Sequence, residues 1–377
     1  MIHTVKSGDS LYAIGREHGI SYTKIAADNE LSLDRHLVIG QTIFIDDDTE
    51  KVGEIVVNGY AFPNITPNVL YRTLPQLTYI SVFSYECVDG LPKPLDDGNV
   101  LAETKFSDVV PVMVVTNIGD SGGFEPAVAH EVISSDSASV TFLDAAIAIM
   151  KEKGYKVLNV DFEYIYQEDK ESYNNFIMIA EQKLHDEGFE LFTALAPKYS
   201  ADQPGILYSA HDYNFHGRHA DRVILMTYEW GYTYSEPMAV APISEIKRVL
   251  DYAVTEIPSE KILMGIPNYG YDWFLPYRSG RPAVSISNYN AVTTAWKYGA
   301  EIEYDERAQA PHFDYYDEAN NPHVVYFEDA RSIEAKLKLV SEYNLGGVSY
   351  WTINRYFPQN WLVLDSMFDV EKKAGRD

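Results

Sequence analysis

Short apolar runs recur eight times in this chain of 377 residues, and that rhythm limits the fold more than any other feature. They span 54–60, 78–84, 109–116, 157–163, 190–196, 222–228, 262–267 and 346–351. Amphipathic stretches lie between most of them, most clearly at 140–153, 170–187, 243–257 and 329–343. Leu143, Ile147 and Met150 fall on one helical face, with Lys151 and Lys153 at the end where the helix dipole favours cations. Buried strands alternating with helices imply a parallel sheet with crossover helices. Eight such units predict a closed α/β barrel, (β/α)8, with its active site at the C-terminal ends of the strands. Glu163, Tyr228 and Trp351 fall at such ends.

The fourth run carries the chemistry. Side chains alternate along a strand, so Asn159, Asp161 and Glu163 share one face, and Leu158, Val160, Phe162 and Tyr164 the other. A strand buried on both faces should not hold two carboxylates unless they are paired or working. Like charges this close raise at least one pKa and leave a protonated acid near neutral pH. Taken alone, the triplet is better explained as a polar strand end emerging into solvent. The rest of the chain reverses that balance.

Composition excludes more than it identifies. The formal charge of −26 argues against nucleic acid and anionic membranes as partners. Cys87 is the only cysteine, so no internal disulfide and no cysteine-based metal cluster is expected. The N-terminus shows no signal-peptide pattern, and no run of about 18 apolar residues suggests a membrane span. The 29 tyrosines suit either a packed core or a carbohydrate cleft, and composition does not separate the two.

Residues 2–46 read as strand–helix–helix–strand, with Ser10 as a helix cap and 47–52 as a charged linker to a domain over 53–377. The unit resembles a LysM domain, through His3-Thr4-Val5-Lys6-Ser7-Gly8-Asp9-Ser10-Leu11-Tyr12-Ala13-Ile14 and the closing Ile39-Gly40-Gln41-Thr42-Ile43-Phe44-Ile45. The resemblance implies binding of N-acetylglucosamine-containing glycans, peptidoglycan or chitin. It places the groove between Gly8, Asp9, Ser10 and Leu11 and the stretch near Asn29 and Leu31.

The stretch after the linker resembles glycoside hydrolase family 18. Lys156 to Glu163 lines up with D-G-x-D-x-D-x-E, Met226-Thr227-Tyr228-Glu229 with M-x-Y-D, and 265–270 and 346–351 with the seventh- and eighth-strand motifs. The resemblance implies a retaining mechanism in which the substrate's own N-acetyl group attacks, without a carboxylate nucleophile. It makes Glu163 the general acid and base, Asp161 the helper that orients the acetamido group, Tyr228 its hydrogen-bond donor and Trp351 the floor. Tyr60, Asn159, Met226, Glu229, Asn268 and Tyr269 become substrate-binding candidates. Four motif positions depart: Lys156, Val157, Asn159 and Phe162 stand for Asp, Gly, Asp and Trp. Glu229 also replaces Asp. These departures, with Tyr228-Glu229-Trp230-Gly231 and the LysM unit, resemble the spore cortex-lytic branch. That likeness implies cleavage of β-1,4 bonds next to N-acetylglucosamine in peptidoglycan, a spore-coat, cortex or cell-wall location, and no α/β insertion of the long-cleft chitinase kind; the alternatives are a chitinase on a chitin-like glycan and a non-catalytic glycan-binding spore-coat protein. A monomer without cofactor is expected.

Two motifs read as decoys. Gly119-Asp120-Ser121-Gly122-Gly123 spells a serine-protease signature, but an α/β chain makes a glycine-rich rim loop the better reading. His211, His216 and His219 lack the spacing of a zinc site, so a solvated or hydrogen-bonded loop cluster is expected.

Overall fold

The computed structural model describes residues 1–47 and 50–373. Eight parallel strands form the barrel: Gly53–Ala61, Tyr79–Val88, Val110–Thr116, Val157–Asp161, Glu190–Leu195, Arg222–Leu225, Ile262–Pro267 and Gly347–Trp351. Each lies within or overlaps a run read from the sequence. The first strand pairs with both the last and the second, which closes the sheet. Most of these residues are buried on both faces, which explains why the runs are continuously apolar rather than alternating. Val56, Val112, Val114, Phe192, Ile224 and Leu263 pack inside the barrel. Leu143, Ile147 and Met150 pack between the barrel and its helices, on Asp136–Lys153. Among the described residues no single helix is long and apolar enough to cross a membrane.

The expected absence of an insertion is corrected. Between the seventh strand and the helix Ala330–Glu342 lies a five-stranded antiparallel sheet with the helix Asn288–Tyr298. Phe313, Phe327, Ala291 and Ala295 give it a core of its own. Phe313 and Tyr315 are buried and alternate with the exposed Asp314 and Tyr316, the pattern of a half-buried antiparallel sheet. The long buried runs of the barrel offer no such signal.

The N-terminal unit is two antiparallel strands, Ile2–Thr4 and Thr42–Phe44, around two helices, Leu11–His18 and Tyr22–Asp28. Ser10 caps the first helix, its Oγ accepting from the Ala13 amide at 3.2 Å. The unit is docked onto the barrel. Gln359 Nε2 donates to Asn29 Oδ1 at 3.1 Å and to the Thr42 carbonyl at 2.6 Å, and its Oε1 accepts from the Thr42 hydroxyl at 2.8 Å. The Ile302 amide donates to the Ile39 carbonyl at 2.9 Å. Gly40, at φ 82°, lies so close that a Cβ would sit 1.8 Å from the Ile302 carbonyl oxygen. In the stretch expected to be a linker, Asp48 and Thr49 lie outside the described residues. Lys51 reaches Asp365 and Asp369, and the Val52 amide bonds the Met367 carbonyl.

Candidate active site

The C-terminal ends of the barrel strands surround a cavity of about 540 Å³. Asp161 ends the fourth strand, and Glu163 stands two residues beyond it. Both line the cavity, together with Tyr60, Met226, Tyr228, Glu229 and Trp351. Tyr164 departs from the expected alternation. Its φ of 55° turns the chain, and the side chain lines the cavity instead of joining Leu158, Val160 and Phe162. Phe162 continues inward and stacks on Tyr173 and Phe176 of the following helix, Lys170–Asp186.

The peptide joining Phe162 to Glu163 is held on both edges. The Glu163 amide donates to Asn117 Oδ1 at 2.8 Å, and Asn117 Nδ2 donates back to the Glu163 carbonyl at 2.8 Å. On the other edge His211 Nε2 meets the Phe162 carbonyl at 2.9 Å. His211 Nδ1 accepts from the Ala196 amide, so Nε2 carries the proton and donates. Burial lowers the His211 pKa to about 4, which keeps the ring neutral. Sequence reasoning missed Asn117. The signal was there, since it follows the third apolar run at the rim.

Burial raises the pKa of Asp161. Glu163 is raised well above the ordinary carboxylate range, by burial first and then by the negative charges of Asp161 and Glu229. A carboxyl group held protonated in this way can serve as a general acid near neutral pH. Asn159 lies beneath, fully buried, and donates to the Tyr60 hydroxyl at 2.6 Å. Among the described residues Asp161 Oδ1 and Asn159 Oδ1 have no hydrogen-bond partner. Tyr228 closes against Gly265, where a Cβ would lie 2.7 Å from its ring. Trp351 packs edge-to-face against Phe83, Tyr60 and Phe62, with ring centroids 4.7, 5.3 and 5.6 Å away. Tyr60, Phe83 and Trp351 of this cluster line the cavity.

Glu229 is engaged rather than free. Its carboxylate accepts from the Tyr269 hydroxyl, and from the Tyr271 hydroxyl at 3.1 Å. Burial raises its pKa and these two phenols counter the shift. Tyr269 therefore reaches the site through Glu229 and does not line the cavity. Asn268 is not brought to the cavity either. It is buried, and Nδ2 donates to the carbonyls of Thr352 and Arg355 at 3.2 and 2.6 Å. Those bonds hold the loop after the last strand.

The serine-protease-like pentapeptide is a rim loop, closed by a bridge between Ile118 and Phe124. Phe124 lines the cavity. The histidine cluster is corrected: His211 and His216 are buried, and His216 and His219 sit on the helix Tyr213–His219. The hydrogen-bonded alternative holds for two of them, since His211 bonds the Phe162 carbonyl and the Ala196 amide and His219 meets Glu181 at 2.6 Å, while burial against Tyr173 takes His216 out of solvent.

In the N-terminal unit the expected groove residues line two adjoining cavities that share Arg35, His36, Leu37, Val38 and Trp296. Gly8, Asp9, Ser10 and Leu11 open onto one cavity, of about 700 Å³. Asn29 and Leu31 face another, of about 340 Å³. Asn29 is buried and pairs with the Phe44 backbone through both ends of its amide. Asp9 is engaged by His3 at 2.9 Å and by the Lys6 amide at 2.8 Å.

The sequence profile of Glycosyl hydrolases family 18 matches residues 67–355, and that of the LysM domain matches 3–46. The chain belongs to glycosyl hydrolase family 18. It is thus a glycosidase of (β/α)8 fold with an N-terminal LysM domain. The cortical fragment-lytic enzyme of Bacillus subtilis is 38% identical over the whole of both chains. The crystal structure of the Bacillus cereus spore cortex-lytic enzyme SleL matches with a TM-score of 0.94 at 33% identity, over 99% of each chain. That of the Bacillus megaterium SleL matches with a TM-score of 0.83 at 39% identity, over 99% of this chain and 87% of the other.

Proposed function

We propose that this family 18 enzyme hydrolyses β-1,4 bonds next to N-acetylglucosamine in peptidoglycan, with spore cortex as its setting and retention of configuration. The observation that carries this reading is that Asp161 and Glu163 line one cavity with Tyr60, Phe83 and Trp351, while two phenols already engage Glu229. Glu163 is in a state to donate a proton to the leaving oxygen. The substrate's acetamido oxygen attacks the anomeric carbon and forms an oxazolinium ion. Asp161 supports the acetamido nitrogen as positive charge develops there, and Tyr228 donates to the acetamido oxygen. Glu163, now ionised, takes a proton from the water that opens the ring. Donors fixed before the reaction cost no reorganisation during it. Likeness to cortical fragment-lytic enzymes over the full chain supports peptidoglycan as substrate. The LysM domain would hold the enzyme on its polymer.

A chitinase is the second reading, because the family 18 match covers the same cleft; the insertion does not separate the two, since the SleL match spans 99% of this chain with the insertion included. Purified cortex fragments and colloidal chitin, each digested and analysed by mass spectrometry, separate the two. Release of reducing N-acetylglucosamine ends from cortex but not chitin is expected. Turnover of chitin alone would reject the peptidoglycan reading.

A further inference from the structure

The larger cavity of the LysM domain has two walls, and only one belongs to that domain. Tyr12 and Tyr22 stand exposed on the LysM side, in edge contact at 6.1 Å. Facing them is the C-terminal end of the insertion helix Asn288–Tyr298, with Trp296, Gly299, Ala300 and Glu301. Gly299, at φ 65°, turns the chain there. Three residues on, the Ile302 amide bonds the Ile39 carbonyl of the LysM wall at 2.9 Å, and Arg331 reaches the Gly40 carbonyl at 3.2 Å. Arg35 of the LysM domain lies 4.5 Å above the Trp296 ring. The two walls are therefore fixed to each other.

We propose that a single N-acetylated glycan segment is gripped between the LysM domain and the insertion of the catalytic domain, with Trp296 and Glu301 as binding residues. The inference rests on the reading that this LysM domain binds glycan, and adds that the catalytic domain supplies half of the site. Sugar rings present apolar C–H faces and polar edges. The groove offers rings on both sides, and Glu301 at the rim can accept from hydroxyl groups. Asp9, the carboxylate of the LysM wall, is already engaged by His3 and the Lys6 amide, so Glu301 adds an exposed carboxylate on the opposite wall. A glycan held this way sits at a fixed position relative to the cleft, whereas a tethered LysM domain would let it wander.

The test uses the full chain carrying Glu163→Gln and Trp351→Ala, which removes turnover and stacking in the cleft. Chitohexaose binding is measured by calorimetry. Trp296→Ala and Ala300→Leu should each weaken binding by about tenfold or more, as Tyr12→Ala does, with unfolding midpoints checked. If Tyr12→Ala weakens binding while Trp296→Ala and Ala300→Leu leave it unchanged, the shared wall is wrong and the LysM reading stands. If the background chain binds no oligosaccharide, both fail. Ala300→Leu fills the groove without removing packing, so it decides the matter should Trp296→Ala fold poorly.

Discussion

Asn117 clamps Glu163 through two reciprocal hydrogen bonds, each 2.8 Å long, between its amide and the glutamate backbone. The carboxyl group is thus aimed by a residue of the neighbouring strand end. Asn117→Ala should lower kcat on the order of 10²-fold with little change in KM, because a small misplacement of a proton donor costs that much. Steady-state kinetics on cortex fragments checks this. A rise in KM at constant kcat would assign Asn117 to substrate binding instead.

Glu163→Gln should reduce hydrolysis by about 10²- to 10⁴-fold or more while binding of intact glycan persists. Release of reducing ends, measured beside a cosedimentation assay, gives both readouts. Full turnover in this variant would remove Glu163 from the mechanism.

The same substitution should stabilise the protein. The pKa values of Glu163 and Asp161 are raised in the fold, so folding binds protons. Their contribution is fully present below the ordinary carboxylate range and is lost as pH rises through the raised values. Glu163→Gln has no charge to bury. Its unfolding midpoint should exceed the parent's at alkaline pH, and the gap should close toward about pH 4. Thermal scans across pH measure this.

Catalysis as an acid needs protonated Glu163, so activity should fall as pH climbs through its raised pKa. The negative charge of Glu229 is one cause of that rise. Glu229→Gln should move the alkaline limb of kcat/KM to lower pH. Asn159→Asp should move it to higher pH, because it adds a carboxyl group beside Asp161. A pH–rate profile that shifts in the opposite direction in either variant would contradict the charge coupling.

Gln359→Ala leaves Thr42 and Asn29 without buried partners across the domain junction. A loss of about 1–3 kcal/mol is expected. Denaturant unfolding followed by separate probes in each domain checks it, and coincident, unshifted transitions would show the junction to be energetically neutral.

The barrel was legible because a strand buried on both faces must be apolar throughout, and eight such runs survive without any tertiary knowledge. The stretch between Pro267 and Ala330 is far longer than an ordinary βα loop, and that length itself marks an insertion. Asp161 and Glu163 were legible for a related reason: burying charge is costly, so two carboxylates at the end of a core strand stand out.

What the chain order alone determined was the repeating unit, the strand that bears the acid, and the family. Which groups hold that acid in place was decided only on folding. Asn117 and His211 are far from this segment in sequence and reach the backbone of Glu163 and of Phe162 through hydrogen bonds, which depend on distance and angle and leave no periodic trace. The docking of the LysM domain has the same origin. Gly40 and Ile302 fit because two surfaces meet there, and neither surface exists until its own domain has folded.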